Sequence, residues 1–99
     1  MDITLNNDAF IAMEYLSEQE RRRVQIAIER LRIDKDLSSP NLHRLDRASD
    51  ELYDVYVYRV DPMYRMLFRR QRATPTQLEV VDVVHVDKIK AFASPQAAH

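Results

Sequence analysis

The sequence predicts an α+β domain: a short N-terminal strand, a two-helix hairpin, and a three-stranded antiparallel meander packed by the helices. Three observations carry that expectation. Val24, Ala27, Ile28 and Leu31 recur at spacings of three and four, the period of one helix face. Tyr53 to Arg70 reads YDVYVYRVDPMYRMLFRR, two alternating runs joined by Asp61-Pro62. Leu78 to Val86 reads LEVVDVVHV, a nearly continuous valine-rich run suited to a strand buried on both faces and central in its sheet.

Taken in order, Ile3 and Leu5 alternate with polar neighbours and predict the short first strand, which Asn6-Asn7 ends. Asn7 is expected to cap a short helix carrying Phe10, Ile11, Met13 and Leu16. Ser17-Glu18-Gln19-Glu20 is a capping box that starts a second helix, fading near Ile33-Asp34. Arg21, Arg22 and Arg23 lie one turn into it; consecutive helical residues splay by about 100°, so the triplet reads as a solvated face. From Asp36 to Glu51 the chain is expected to be a connecting loop, broken from the helix by Ser38-Ser39-Pro40-Asn41 and pinned by Leu42 and Leu45, with His43 and Arg44 on the surface.

In the hairpin, Asp61-Pro62-Met63-Tyr64 suits a type I turn, because Asp is favoured first and Pro fixes φ at the second position. Alternation places Tyr53, Val55, Val57 and Arg59 on one face of the first arm, with Asp54, Tyr56 and Tyr58 on the other. On the second arm Tyr64, Met66, Phe68 and Arg70 share a face, opposite Arg65, Leu67 and Arg69. Asp87-Lys88 opens a last helical turn with Ile89 and Phe92. A single domain is expected over residues 1–93, followed by a flexible tail over 94–99.

Composition bounds the chemistry. A chain of 99 residues buries roughly 65% of its unfolded surface, enough to fold without a metal or disulfide. It has no cysteine, which removes disulfides, zinc ribbons and thiol nucleophiles, and no glycine, which removes Gly-rich phosphate loops and dinucleotide fingerprints. No metal and no cofactor are expected. The segment MDITLNND lacks the blocks of a signal peptide, and no apolar run approaches the ~20 residues of a membrane span. The expectation is a cytoplasmic protein with no membrane partner.

Fifteen Lys and Arg against sixteen Asp and Glu give a net charge of −1, which argues against a wholly basic nucleic-acid binder. The average conceals a local excess: Arg59, Arg65, Arg69, Arg70 and Arg72 fall within fourteen residues that hold one acid, Asp61. That segment is a candidate anion site, or a set of solvated strand ends.

The order of elements, with the runs EQERRRVQIAIERLR, NLHRL, LYDVYVYRV, YRMLFRR and EVVDVVHVDK, resembles the RelE/ParE superfamily of bacterial toxin–antitoxin toxins. The resemblance covers Asp2 to Phe92; LY before a strand, RV before the turn and YR opening the next strand are its most telling points. It implies a RelE-like sheet packed by helices and a toxin silenced by a cognate antitoxin protein. In the RelE-like branch the toxin enters the ribosome and cleaves mRNA by attack of a ribose 2′-hydroxyl on the adjacent phosphate. In the ParE-like branch the same fold blocks DNA gyrase.

Attack by a 2′-hydroxyl needs a proton acceptor, a cation for the phosphoryl oxygens and a donor for the departing oxygen. Arg65 matches the family's YR arginine and binds phosphate through a bidentate fork; the alternative is an ion pair with Glu79 or Asp82. Arg59 is a second cation candidate. His85 is the titratable acid or base on the last strand, or else a half-buried histidine bonded to backbone. Arg69 and Arg70, with Tyr56 and Tyr58 as stacking rings, form the candidate RNA-binding set, against a reading of the tyrosines as cross-strand packing. Arg59, Arg65 and His85 are expected to meet on the helix-free face. Where many active RelE-like toxins carry a tyrosine past the last strand, this chain reads VDKIKAF.

Overall fold

The computed structural model describes residues 1–34 and 37–88. Strand β1 (Asp2–Leu5) leads into helix α1 (Asn7–Glu14) and helix α2 (Glu18–Ile33). Four strands follow: β2 (Leu42–Arg44), β3 (Tyr53–Arg59), β4 (Tyr64–Gln71) and β5 (Gln77–His85). They form one five-stranded sheet in the order β1-β5-β4-β3-β2, with β1 parallel to β5 and the other neighbours antiparallel.

The helix starts follow from local hydrogen bonding. Asn6, one residue earlier than the sequence suggested, caps α1: its Oδ1 accepts from the Ala9 amide at 2.9 Å. Ser17 Oγ accepts from the Glu20 amide at 3.1 Å while the Ser17 amide donates to Glu20 Oε1 at 2.9 Å, a complete capping box. The arginine triplet beyond it is divided rather than simply solvated. Arg21 donates to the carbonyls of Met13 (3.0 Å) and Leu16 (3.3 Å), tying the start of α2 to the chain at and just beyond the end of α1. Arg23 reaches Asp61 in the hairpin turn at 3.3 Å, and Arg22 stays exposed.

Two features depart from the expected meander. NLHRL is not a plain loop: Leu42–Arg44 forms edge strand β2, its residues opposite Tyr58, Val57 and Tyr56. Backbone demand explains it, since β2 and its flanks accept or donate along the outer edge of β3, as in Arg59 amide to Asn41 carbonyl (2.9 Å) and Leu45 amide to Val55 carbonyl (2.8 Å). In addition, β5 is an inner strand but β4 holds the middle of the sheet.

The main core lies between the helices and the sheet face carrying Tyr56, Tyr58, Met66, Phe68, Leu78, Val80 and Val83. Phe68, Leu31, Met66, Val24 and Val80 are its most completely buried side chains, and Tyr56 stacks on Phe68 with centroids 5.2 Å apart. A second, smaller cluster of Val57, Leu67 and Val84 sits on the opposite face. The pairing Leu67↔Asp82 followed by Phe68↔Val80 leaves Val81 as one extra residue on β5, so side-chain parity reverses beyond it.

Turns are made without glycine. Asp61 Oδ1 accepts from the amides of Met63 and Tyr64, both at 2.8 Å, which fixes the hairpin tip. Leu37 takes a left-handed backbone (φ 50°), a position glycine would occupy at no steric cost, and its side chain packs against the main core. The last helical turn begins at residue 86; its expected contacts through Ile89 and Phe92, and the tail at 94–99, lie outside the described residues.

Candidate functional site

The hairpin register sets Arg59 directly opposite Arg65, so both project from the face away from the helices. Arg65 is half-buried, and its Nη1 donates to the carbonyls of Asp61 (2.7 Å) and Tyr64 (3.1 Å). Among the described residues it meets no carboxylate, so it is oriented by main-chain dipoles while its charge stays uncompensated. Glu79, one of the acids that the alternative reading paired with Arg65, pairs instead with Arg69, at 2.6 Å. Arg59 is exposed and likewise has no ion pair among the described residues.

Asp61 organises this end of the hairpin. Burial would raise its carboxyl pKa, but the Met63 and Tyr64 amides and the Arg23 guanidinium outweigh that and hold it below the usual carboxylate range. The ionised carboxylate thereby ties α2, the turn and the backbone that grips Arg65 into one unit. Tyr64 is shifted the other way, above the ordinary phenol, by burial first and then by the charge and hydrogen bond of Glu20. Its hydroxyl stays a donor.

His85 does not join the two arginines. It lies opposite Tyr64 on the helix-side face, with the two rings edge-on at 5.7 Å. The extra residue at Val81 is the reason: uninterrupted alternation from Leu78 would have turned His85 to the helix-free face. His85 Nδ1 accepts from the Asp87 amide at 3.2 Å, an arrangement that puts the proton of the neutral ring on Nε2. Among the described residues, the histidine that shares a face with Arg59 and Arg65 is His43, opposite Val57 on β2 and exposed. Its strand was unread in the sequence, so its face was unread as well.

The expected RNA-binding set is engaged internally. Arg69 pairs with Glu79 and lies over the Tyr53 ring, its guanidinium carbon 4.5 Å from the centroid. Arg70 donates to Asp54 (3.3 Å) and to the Tyr56 hydroxyl (3.1 Å). The rings of Tyr56 and Tyr58 sit in the helix-packed core, 9% and 3% exposed, where neither offers a face to a base. Alternation had placed them opposite Val55 and Val57; which side the helices cover was the missing information.

Asp54 was not singled out in the sequence, yet it gathers three arginines. Arg44 contacts it at 3.1 Å, Arg72 at 3.1 Å and Arg70 at 3.3 Å, with Asp54 itself 8% exposed. Burial pushes its carboxyl up; hydrogen bonds from Arg44 and Arg70 and the charge of Arg72 more than reverse this, so it stays ionised below the ordinary range. The available signal was an acid on the core-facing parity of a strand, directly opposite Arg70. No group of three or more His, Cys, Asp or Glu among the described residues is arranged to hold a metal ion, and no helix among them is long and apolar enough to cross a membrane.

Comparison with known proteins places the fold. No family model matches the chain, and no curated protein matches it. Among solved structures it is similar to the crystal structure of the archaeal RelE-RelB complex from Pyrococcus horikoshii OT3, with a TM-score of 0.67 over 85% of this chain and 92% of that one. Identity across the match is 13%. The chain therefore has a RelE-like α+β fold.

Proposed function

We propose that this chain is the toxin of a toxin–antitoxin pair and acts as a ribosome-dependent mRNA endonuclease in the cytoplasm. The single observation that carries the chemistry is Arg65, a half-buried guanidinium held by two carbonyls and left without a carboxylate among the described residues, with Arg59 opposite it. The shared fold with a RelE that was crystallised in complex with RelB supports an antitoxin partner; ribosome and mRNA follow from the reaction proposed.

In this reading Arg65 and Arg59 take the phosphoryl oxygens of the scissile phosphodiester. The ribose 2′-oxygen forms a bond to phosphorus as its proton leaves to a base, and the bond from phosphorus to the 5′-oxygen breaks as that oxygen is protonated. The products are a cyclic phosphate and a 5′-hydroxyl end. His85 and His43 are the proton-transfer candidates, His85 beside Tyr64 at the strand end and His43 on the arginine face. Arg69, already paired with Glu79, serves RNA only at the outer rim of the site, while Arg70, held by Asp54 on the helix-side face, takes no part in it.

Induced expression followed by mapping of RNA 5′ ends tests the reading: new ends within translated frames are expected, and Arg65→Ala abolishes them and the growth arrest while the protein stays folded. A second reading, a ParE-like gyrase inhibitor or a chemically silent antitoxin-binding homologue, draws on the separation of His85 from Arg59 and Arg65 by the sheet. Stalled replication with an unchanged 5′-end map would favour it and remove the nuclease.

A further inference from the structure

Half of the twelve arginines of this chain have a carboxylate partner among the described residues. Arg32 pairs with Glu29, Arg69 with Glu79, Arg23 with Asp61, and Arg44, Arg70 and Arg72 converge on Asp54. One cleft breaks that habit. Between α2 and the end of β3 lies a depression of about 200 Å³, whose walls include Arg23, Arg30 and Arg59 together with Ile26, Asn41 and Tyr58. Among the described residues no carboxylate lines it, and neither Arg30 nor Arg59 has an ion pair. Arg23 has one at 3.3 Å, to Asp61.

The volume is below the roughly 300–1,000 Å³ of small-molecule pockets, so the cleft accommodates a group rather than a whole ligand. Arg23 and Arg30 are seven residues apart on α2, about 10 Å along the axis, and bracket Ile26, which is 47% exposed. Cations on both sides of Ile26 supply the positive groove that tracks a single-strand backbone, with an aliphatic side chain between them for apolar contact. The Tyr58 hydroxyl has no hydrogen-bond partner among the described residues, and the residue otherwise lies in the core. Arg59 borders both this cleft and the Arg65 face.

We propose that this cleft binds a phosphodiester of single-stranded RNA, extending the site at Arg59 and Arg65 by a further phosphate held on helix α2. The assignment of RNA rests on the nuclease reading; the anion site itself does not. It was not legible in the sequence, because Arg23 belongs to a triplet that looks solvated and Arg30 lies on the same helix seven residues on.

The test is an NMR titration of the intact chain with three probes: inorganic pyrophosphate, a short oligoribonucleotide made uncleavable by 2′-O-methylation, and a Glu-rich peptide. Pyrophosphate and the oligonucleotide are expected to shift the amides of Ile26, Arg30 and Asn41. Arg30→Gln, at an exposed position, is expected to weaken the oligonucleotide about tenfold, the loss of one charge-assisted contact. It should also lower the slope of log affinity against log salt by about 0.7, one phosphate. Oligonucleotide shifts confined to Tyr64 and Arg65, with Arg30→Gln binding like the parent, would overturn the cleft and leave the nuclease reading intact. Shifts with pyrophosphate but none anywhere with the oligonucleotide would overturn the RNA assignment along with that reading. A response to the acidic peptide alone would overturn it in favour of a protein partner.

Discussion

Asp54→Asn is the most demanding test of how this fold manages its arginines. The Asp54 carboxylate is 11% exposed and takes hydrogen bonds from Arg44 Nε (3.2 Å) and Nη2 (3.1 Å), Arg70 Nη2 (3.3 Å) and Arg72 Nε (3.2 Å). Asparagine keeps the shape but removes the charge and turns an amide donor toward guanidinium donors. Arg44 and Arg72 are 39% and 47% exposed, so water replaces most of what they lose. Arg70 is 25% exposed and its Nε is already buried without an acceptor, so the cost concentrates there. Breaking a fully buried pair costs ~3–5 kcal/mol; partial exposure places this one at about 2 kcal/mol. For a chain of this size that lowers the urea midpoint by about 1.5 M at neutral pH. The folded-state pKa of Asp54 is depressed, so its stabilisation is fully present above the unfolded value of about 3.9 and is lost as pH falls through the lower folded value. Parent and variant should therefore converge in strong acid. Midpoints within about 0.3 M of each other at pH 7, or a gap that widens on acidification, would refute the argument. Freed of Asp54, Arg70 and Arg72 should also raise salt-sensitive, sequence-independent RNA binding in a filter assay.

Other consequences are smaller and local. Arg21→Met removes the guanidinium hydrogen bonds to the carbonyls of Met13 and Leu16 and is expected to cost about 1 kcal/mol, a fall of about 4–8 °C in Tm by calorimetry, whereas Arg22→Met on the exposed face should leave Tm unchanged. Ser17→Ala removes the capping box and should cost about 1 kcal/mol in the same measurement, with Ser17→Gly closer to the parent. Phe68→Ala, which empties a fully buried position under the Tyr56 ring, is expected to cost ~3–5 kcal/mol and to leave broad, poorly dispersed amide spectra at 37 °C.

What could be read in the sequence was whatever short-range chemistry decides. The capping box at Ser17, the stripe on α2, the Asp61 turn and the alternation of both hairpin arms depend on neighbours within a few residues, and all were legible. Strand β2 was not, because three residues are too few to show a period and its existence answers a demand made by β3. The extra residue at Val81 was not either: in LEVVDVVHV apolar side chains suit both faces, so no position marks where parity reverses. That one residue carries His85 to the helix side and leaves His43, among the described residues, as the histidine on the face of the arginines.

The same dependence on register separates the arginines from one another. Arg65 and Arg69 lie on one strand, on one face, four residues apart, and nothing in YRMLFRR tells them apart. Across the sheet, Arg69 faces Glu79 on β5 and forms a 2.6 Å ion pair with it, while Arg65 faces Val84 on one side and Arg59 on the other. A guanidinium opposite a carboxylate is spent on the fold, because solvating a second anion would mean breaking the first pair. A guanidinium opposite valine and arginine, gripped only by the carbonyls of Asp61 and Tyr64, gains from any phosphate that approaches, since that phosphate also relieves its repulsion with Arg59. The anion site is thus defined less by how many arginines the hairpin carries than by which of them the adjoining strands leave without an acid.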